Sequence, residues 1–106
     1  MNFNGNIIVS DSRNNRIQIF DSKGNFILTF GSLGEENGQC KNPHGICVDL
    51  NDNILVCDYD NYRIQIFDSN GKYMSQLNAY RPADIVLNPK TLEIIVSGFY
   101  CEAVIF

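Results

Sequence analysis

A chain of 106 residues suits one small domain, and 44% hydrophobic residues with only 19% charged ones argue for a packed core and against disorder. Its formal net charge of −4, from 8 Lys and Arg against 12 Asp and Glu, indicates no bulk electrostatic appetite for nucleic acid or an anionic membrane. No apolar run approaches the roughly 18–20 residues of a membrane span, and the stretch from Met1 to Asp11 lacks the basic flank of a secretory signal.

The chain repeats itself, and the repeats organise the elements. Gly5 to Phe26 reads GNIIVSDSRNNRIQIFDSKGNF, and Asp52 to Tyr73 reads DNILVCDYDNYRIQIFDSNGKY, with 13 of 22 positions identical at an offset of 47. The first copy starts with the run Ile7-Ile8-Val9, crosses a polar loop, and continues through Ile17, Ile19 and Phe20. Asp21-Ser22-Lys23-Gly24 then places glycine where a hairpin turn needs positive φ. A further strand is expected over Phe26–Phe30. Pro43 to Asp49, PHGICVD, sets a proline ahead of a β-branched run and reads as a strand start. Leu50 to Asn53 is a polar turn. The second copy follows, with its own glycine turn at Asp68–Gly71 and a strand over Tyr73–Leu77. Pro82 to Asn88, PADIVLN, opens another unit, and Glu93 to Phe106, EIIVSGFYCEAVIF, is a third, weaker copy. No stretch holds a helical period.

Each unit therefore has four short antiparallel strands, a to d, in a repeat of 40–47 residues, which is the pattern of a propeller blade. The expected fold is all-β: a blade part over 1–31, a full blade over 43–78 and a blade part over 82–106. Strands with apolar residues on both faces are expected to be covered by sheets on both sides.

The pattern P-x-G-I-x-V-D followed by D-N-I-x-V-x-D-x-x-N-x-R-I-Q-I-F-D-x-x-G resembles the NHL repeat. The linker FGSLGEENGQCKNP, Phe30 to Pro43, is similar to the family's connection between blades, with Cys40 where phenylalanine is usual. The resemblance is nearest to the C-terminal blades of tripartite-motif (TRIM-NHL) proteins. It implies a non-catalytic interaction module: the substrate- or partner-binding propeller portion of a ubiquitin ligase. Ligase activity itself would reside in a RING, whose Cys/His zinc pattern this chain lacks. The alternative is an RNA-binding propeller acting on messenger RNA. Ten strands make about two and a half blades against the four to eight of closed propellers. The open edges are expected either to belong to a longer protein or to drive self-association.

Four cysteines, Cys40, Cys47, Cys57 and Cys101, form no Cys-x-x-Cys pair, and His44 is the single histidine. A zinc finger and a three-histidine metal site are thereby excluded within these residues. The cysteines read as free thiols in a reducing compartment, which suggests a cytoplasmic protein. No metal, cofactor, DNA or membrane partner is expected, and no nucleophile elbow or phosphate loop is present.

In a meander the b–c and d–a loops emerge on one face, and that face receives all four arginines, Arg13, Arg16, Arg63 and Arg81, together with Lys41. It also receives seven acids, Asp11, Glu35, Glu36, Asp58, Asp60, Asp84 and Glu102, and the rings of His44, Tyr59, Tyr62, Tyr80, Phe99 and Tyr100. Arginine and tyrosine are enriched at interfaces, and the acidic balance favours a protein ligand. Arg16 and Arg63 follow Asp11 and Asp58 by five residues, a spacing that suits internal ion pairs bracing the b–c loops. Arg13 and Tyr59, near the loop tips, are left for contact with a partner, as are Tyr62 and Arg81. His44 is read as a structural or incidental surface residue.

Overall fold

The computed structural model of the chain describes residues 5–98 and the backbone of 101–105. Its strands are, in order, β1 (Ile7–Asp11), β2 (Arg16–Phe20), β3 (Phe26–Phe30), β4 (Pro43–Val48), β5 (Ile54–Asp58), β6 (Arg63–Phe67), β7 (Tyr73–Asn78), β8 (Pro82–Leu87), β9 (Ile94–Gly98) and β10 (Cys101–Ile105). They form three antiparallel sheets, β1-β2-β3, β4-β5-β6-β7 and β10-β9-β8, each strand lying beside its neighbour in sequence. Helix is confined, among the described residues, to two single 3-10 turns, Ser12–Asn14 and Tyr59–Asn61. The sheets do not close into a ring.

The repeated sequences adopt one register. β1 pairs β2 from Ile7↔Phe20 to Asp11↔Arg16, and β5 pairs β6 from Ile54↔Phe67 to Asp58↔Arg63. The acid and the arginine of each repeat therefore face each other where the b–c loop leaves the sheet.

The middle sheet is covered on both sides, and its apolar alternation explains how. Successive side chains of a strand point to opposite faces. Ile54 and Val56 of β5 pack with Phe67 against Ile17 and Ile19 of the first sheet. Leu55 and Cys57 pack with Ile64 against Ile85 and Val96 of the third. All five residues of β5 are buried, which is why this strand reads as an unbroken apolar run ending in an aspartate. Each fully buried aliphatic side chain contributes roughly 1.5–3 kcal/mol relative to exposure.

The first strands of adjacent blades come close at Gly45 in β4. A Cβ there would lie 2.7 Å from the Ala83 carbonyl oxygen and 2.9 Å from the Asp84 Cα. Only glycine lets β4 and β8 approach this far.

The a–b and c–d turns, on the face away from the b–c loops, are built by acids and an amide that bind their own backbone. Asp21 Oδ1 accepts from the N–H groups of Lys23 at 2.9 Å and Asn25 at 2.8 Å. Asp49 does the same for Asn51 and Asn53, Asp68 for Asn70 and Lys72, and Asn88 for Lys90. These polar side chains are occupied in turn formation, so that face has few left over for a ligand.

The outward sides of the outer sheets remain apolar. Ile7 and Val9 of β1 are 47% and 39% exposed, and Val86 of β8 is 55% exposed.

Candidate functional site

The b–c face contains two arrangements with different physical characters, a polar brace and an aromatic cluster. In the second repeat the brace is buried. Asp58 Oδ2 accepts from Arg63 Nε at 2.8 Å, Asn61 Nδ2 at 3.0 Å and Gln65 Nε2 at 3.1 Å. Its other oxygen accepts from the Lys41 N–H at 2.8 Å. Arg63 Nη2 donates to the carbonyls of Glu36 and Gln39, at 3.0 and 2.9 Å, and Nη1 donates to Gln76 Oε1 at 2.9 Å. Gln65 donates to the Gln39 carbonyl and accepts from the Gly38 N–H. One ion pair thus ties the linker between blades to the sheet, with a hydrogen bond for nearly every polar atom that burial takes from water.

In the first repeat Asp11 binds Arg16, Asn14 and Gln18 in the same way, but at the surface. The Asn14 amide, and then Arg16, hold the Asp11 carboxyl below its ordinary value of 3.8. A carboxylate lowered in this way adds stability above its unfolded pKa and loses it as pH falls through the folded value.

The aromatic cluster lies between the second and third sheets. Tyr59 and Tyr62 come from the b–c loop of the second repeat, Tyr80 and Arg81 from the loop before β8, and His44 from the start of β4. His44 stacks on Tyr59 with ring centroids 4.3 Å apart at 12°. Tyr62 stacks on Tyr80 at 5.4 Å and 17°. The Arg81 guanidinium carbon lies 5.7 Å from the centroids of both Tyr59 and Tyr62, within cation–π range. Arg81 Nη2 donates to the Tyr62 hydroxyl at 3.4 Å, while Arg81 Nε is buried with no hydrogen-bond partner among the described residues. His44 Nδ1 is 2.8 Å from the Asn42 carbonyl, which can only accept, so the proton sits on Nδ1. Tyr62 and Tyr80 are nevertheless 43% and 57% exposed.

Comparing the repeats separates what the fold needs from what this face adds. Tyr62 has φ 53° and Arg81 φ 43°, in the left-handed region that bulky residues avoid. Their counterparts one repeat earlier are Asn15, φ 54°, and Asn42, φ 57°. Asparagine tolerates that conformation best among non-glycine residues, and these two join directly, the Asn42 N–H donating to Asn15 Oδ1 at 2.8 Å. The same backbone joint is thus closed by two asparagines in one place and by a tyrosine and an arginine in the other. Tyr59 likewise stands where the first repeat has Ser12, whose hydroxyl donates to the Pro43 carbonyl. Rings and a guanidinium have replaced small polar residues at a joint that small residues close well.

The structure brings Tyr59, Tyr62 and Arg81 together. Arg13 stands apart: it is exposed on the 3-10 turn of the first repeat and enters no ion pair or ring contact among the described residues. Its counterpart at the 47-residue offset is Asp60 rather than Tyr59. His44, read from sequence as incidental, is part of the cluster through its stack on Tyr59, and Tyr80 joins it through Tyr62. The paired replacements of Asn15 by Tyr62 and Asn42 by Arg81 were the available sequence signal. The side chains of Phe99, Tyr100 and Glu102 lie outside the described residues.

Nothing else on the described surface assembles chemistry. No group of three or more His, Cys, Asp or Glu among the described residues could hold a metal. Burial pushes the thiols of Cys40 and Cys57 up to about 12 and that of Cys47 to about 11, so none offers a thiolate at neutral pH. No helix among the described residues is long and apolar enough to cross a membrane.

The NHL repeat model matches residues 2–20 and 41–67. Protein brain tumor of Drosophila melanogaster is 42% identical over 48 residues, covering 45% of this chain and 5% of that protein. Among solved structures, hydrazine synthase of Kuenenia stuttgartiensis superposes with a TM-score of 0.79 at 11% identity, covering 96% of this chain and 29% of that one. A streptogramin B lyase gives 0.64 at 19% identity, covering 96% and 37%. At these identities the two structures speak for the fold alone, and the chain spans only a small part of each relative's length. Repeat motif, register and neighbours agree: this chain is a run of NHL repeats folded as part of a β-propeller.

Proposed function

We propose that this chain is a non-catalytic interaction module that binds a protein partner on its b–c/d–a face, centred on Tyr59, Tyr62 and Arg81 with His44 and Tyr80. One observation carries the reading: at a joint the first repeat closes with two asparagines, the second uses a strained tyrosine and a strained arginine that remain accessible. Strain retained at an exposed position that a cheaper residue could fill is a mark of function rather than of folding. Rigid tyrosines and a planar guanidinium are the side chains that dominate protein interfaces. With the resemblance to tripartite-motif proteins, the module would recruit substrates for a ubiquitin ligase whose RING lies elsewhere.

A second reading rests on the Tyr62–Tyr80 stack beside Arg81, which also suits stacking on an unpaired base. The net charge of −4 weighs against it. A salt titration separates the two, since affinity for RNA falls steeply with salt as counterions are released.

The test is quantitative binding of a partner co-purified with the full-length protein. Alanine at Tyr62 and Arg81 together should weaken it by about tenfold or more, as expected when interface anchors are truncated. Changing Lys23, Asp68 and Lys72 on the opposite turns should leave it unaltered. The reverse pattern would move the site to the other face. Purified by itself, the chain should self-associate, because Ile7, Val9 and Val86 leave the outer sheets with apolar sides and open edges. A stable monomer of 12.0 kDa by light scattering, with a cooperative melt, would contradict this.

A further inference from the structure

The polar brace occurs twice, and only one copy is covered. Over the second copy lies the linker. Arg63 holds the carbonyls of Glu36 and Gln39, Gln65 takes the Gly38 N–H, Asn61 holds the Gly34 carbonyl at 2.8 Å, and Asp58 takes the Lys41 N–H. The first copy has the same side chains in the same internal bonds: Arg16 Nε to Asp11 at 2.9 Å, Gln18 to Asp11 at 3.2 Å, and Asn14 to both Asp11 oxygens. Among the described residues no segment lies over it. The Arg16 side chain is 42% exposed and that of Asp11 21%, against 8% and 0% for Arg63 and Asp58. Arg16 makes no bond through Nη1 or Nη2 among the described residues, and Gln18 none through Oε1. Thr29, at the position of Gln76, donates its hydroxyl to the Ile17 carbonyl instead of engaging the guanidinium.

We propose that Asp11, Asn14, Arg16 and Gln18 form a docking site for a glycine–glutamine turn segment of a partner polypeptide, bound through its backbone as the linker is bound by the second repeat. The covered copy states the requirements. The occupant must offer two carbonyls three residues apart to one guanidinium, an N–H between them to the glutamine, an N–H beyond them to the carboxylate and a carbonyl to the asparagine. A turn with glycine at the Gly38 position meets this, since Gly38 has φ +87°. An acidic peptide does not, because its side chains would meet Asp11. Residues 34–41 of the chain are already held by Arg63, Gln65 and Asp58, so the occupant is a separate segment. The site is independent of the aromatic cluster and stands or falls without it.

The probe is a fluorescent peptide of sequence FGSLGEENGQCKNP, residues Phe30 to Pro43, titrated into the full chain and followed by anisotropy. Saturable binding at one peptide per chain is expected. It should weaken about tenfold or more with Arg16→Ala and with Gln18→Ala, each checked for retained strand content by circular dichroism, in line with charge-assisted hydrogen bonds being the strong ones. It should also fail with a peptide carrying valine in place of the second of its last two glycines, Gly38. No saturable binding to the wild-type chain would overturn the proposal. So would binding that survives Arg16→Ala and Gln18→Ala but is lost with Arg63→Lys, because the peptide would then be exchanging with the chain's own linker.

Discussion

Arg63→Ala should destabilise the chain by about 3–5 kcal/mol, the range for breaking one side of a buried ion pair. Arg63 is 8% exposed and Asp58 fully buried, so the substitution strands a carboxylate away from water. It also orphans the carbonyls of Glu36 and Gln39, which lose their donor. For a chain of this size such a loss is a large fraction of the total stability, roughly 5–15 kcal/mol for a domain. The linker should be released with it, and limited proteolysis between Gly34 and Gly38 is the direct readout alongside a urea midpoint. Arg16→Ala removes the equivalent guanidinium from a pair open to solvent and should have a far smaller effect on both. Equal effects from the two substitutions would show that burial and the linker contacts do not set the strength of the brace. Replacing Asp58 and Arg63 together by apolar residues should not restore stability either, since the linker carbonyls would still lack a donor.

Phe67→Ala should cost about 3–5 kcal/mol, the usual range for removing a buried phenylalanine. Its ring is 1% exposed and sits in the cluster that joins the first and second sheets. Phe30 packs against it with centroids 4.8 Å apart, and Tyr73 meets it edge-on at 6.4 Å. Phe20 is the same residue one repeat earlier, yet it is only half-buried, with Phe26 at 6.1 Å as its ring partner. Phe20→Ala should therefore cost clearly less in the same urea titration. If the two were equal, the inter-sheet cluster would not be the main cohesion between these blades.

The contrast between these pairs shows where sequence reasoning stops. Asp11 and Asp58, or Phe20 and Phe67, are identical letters at identical positions of the repeat. Nothing local distinguishes them. Burial does, and burial depends on whether a linker or another sheet lies on top, which is a property of the assembled blades. The strands themselves were legible because each carries its information locally: a proline-led start, β-branched runs, and Asp-x-x-Gly turns whose Gly24 and Gly71 have φ +85° and +81°. The facing of acid and arginine was legible too, since an antiparallel pair closed by a short loop fixes which residues meet.

The aromatic cluster was only half legible. Tyr59, Tyr62 and Arg81 could be assigned to one face by counting loops, but Arg13 shares that face without sharing the cluster. His44 seemed incidental because its ring partner, Tyr59, is on another strand connection. By itself the sequence determined the repeat, the all-β blades, the register and the face on which the arginines emerge, because alternation, turn chemistry and periodicity are short-range. Only the tertiary structure decided which brace is buried, which rings stack and where strain is held. Those depend on contacts between segments some 15–45 residues apart, and the free energy of such contacts comes from excluding water between surfaces that no single stretch of sequence describes.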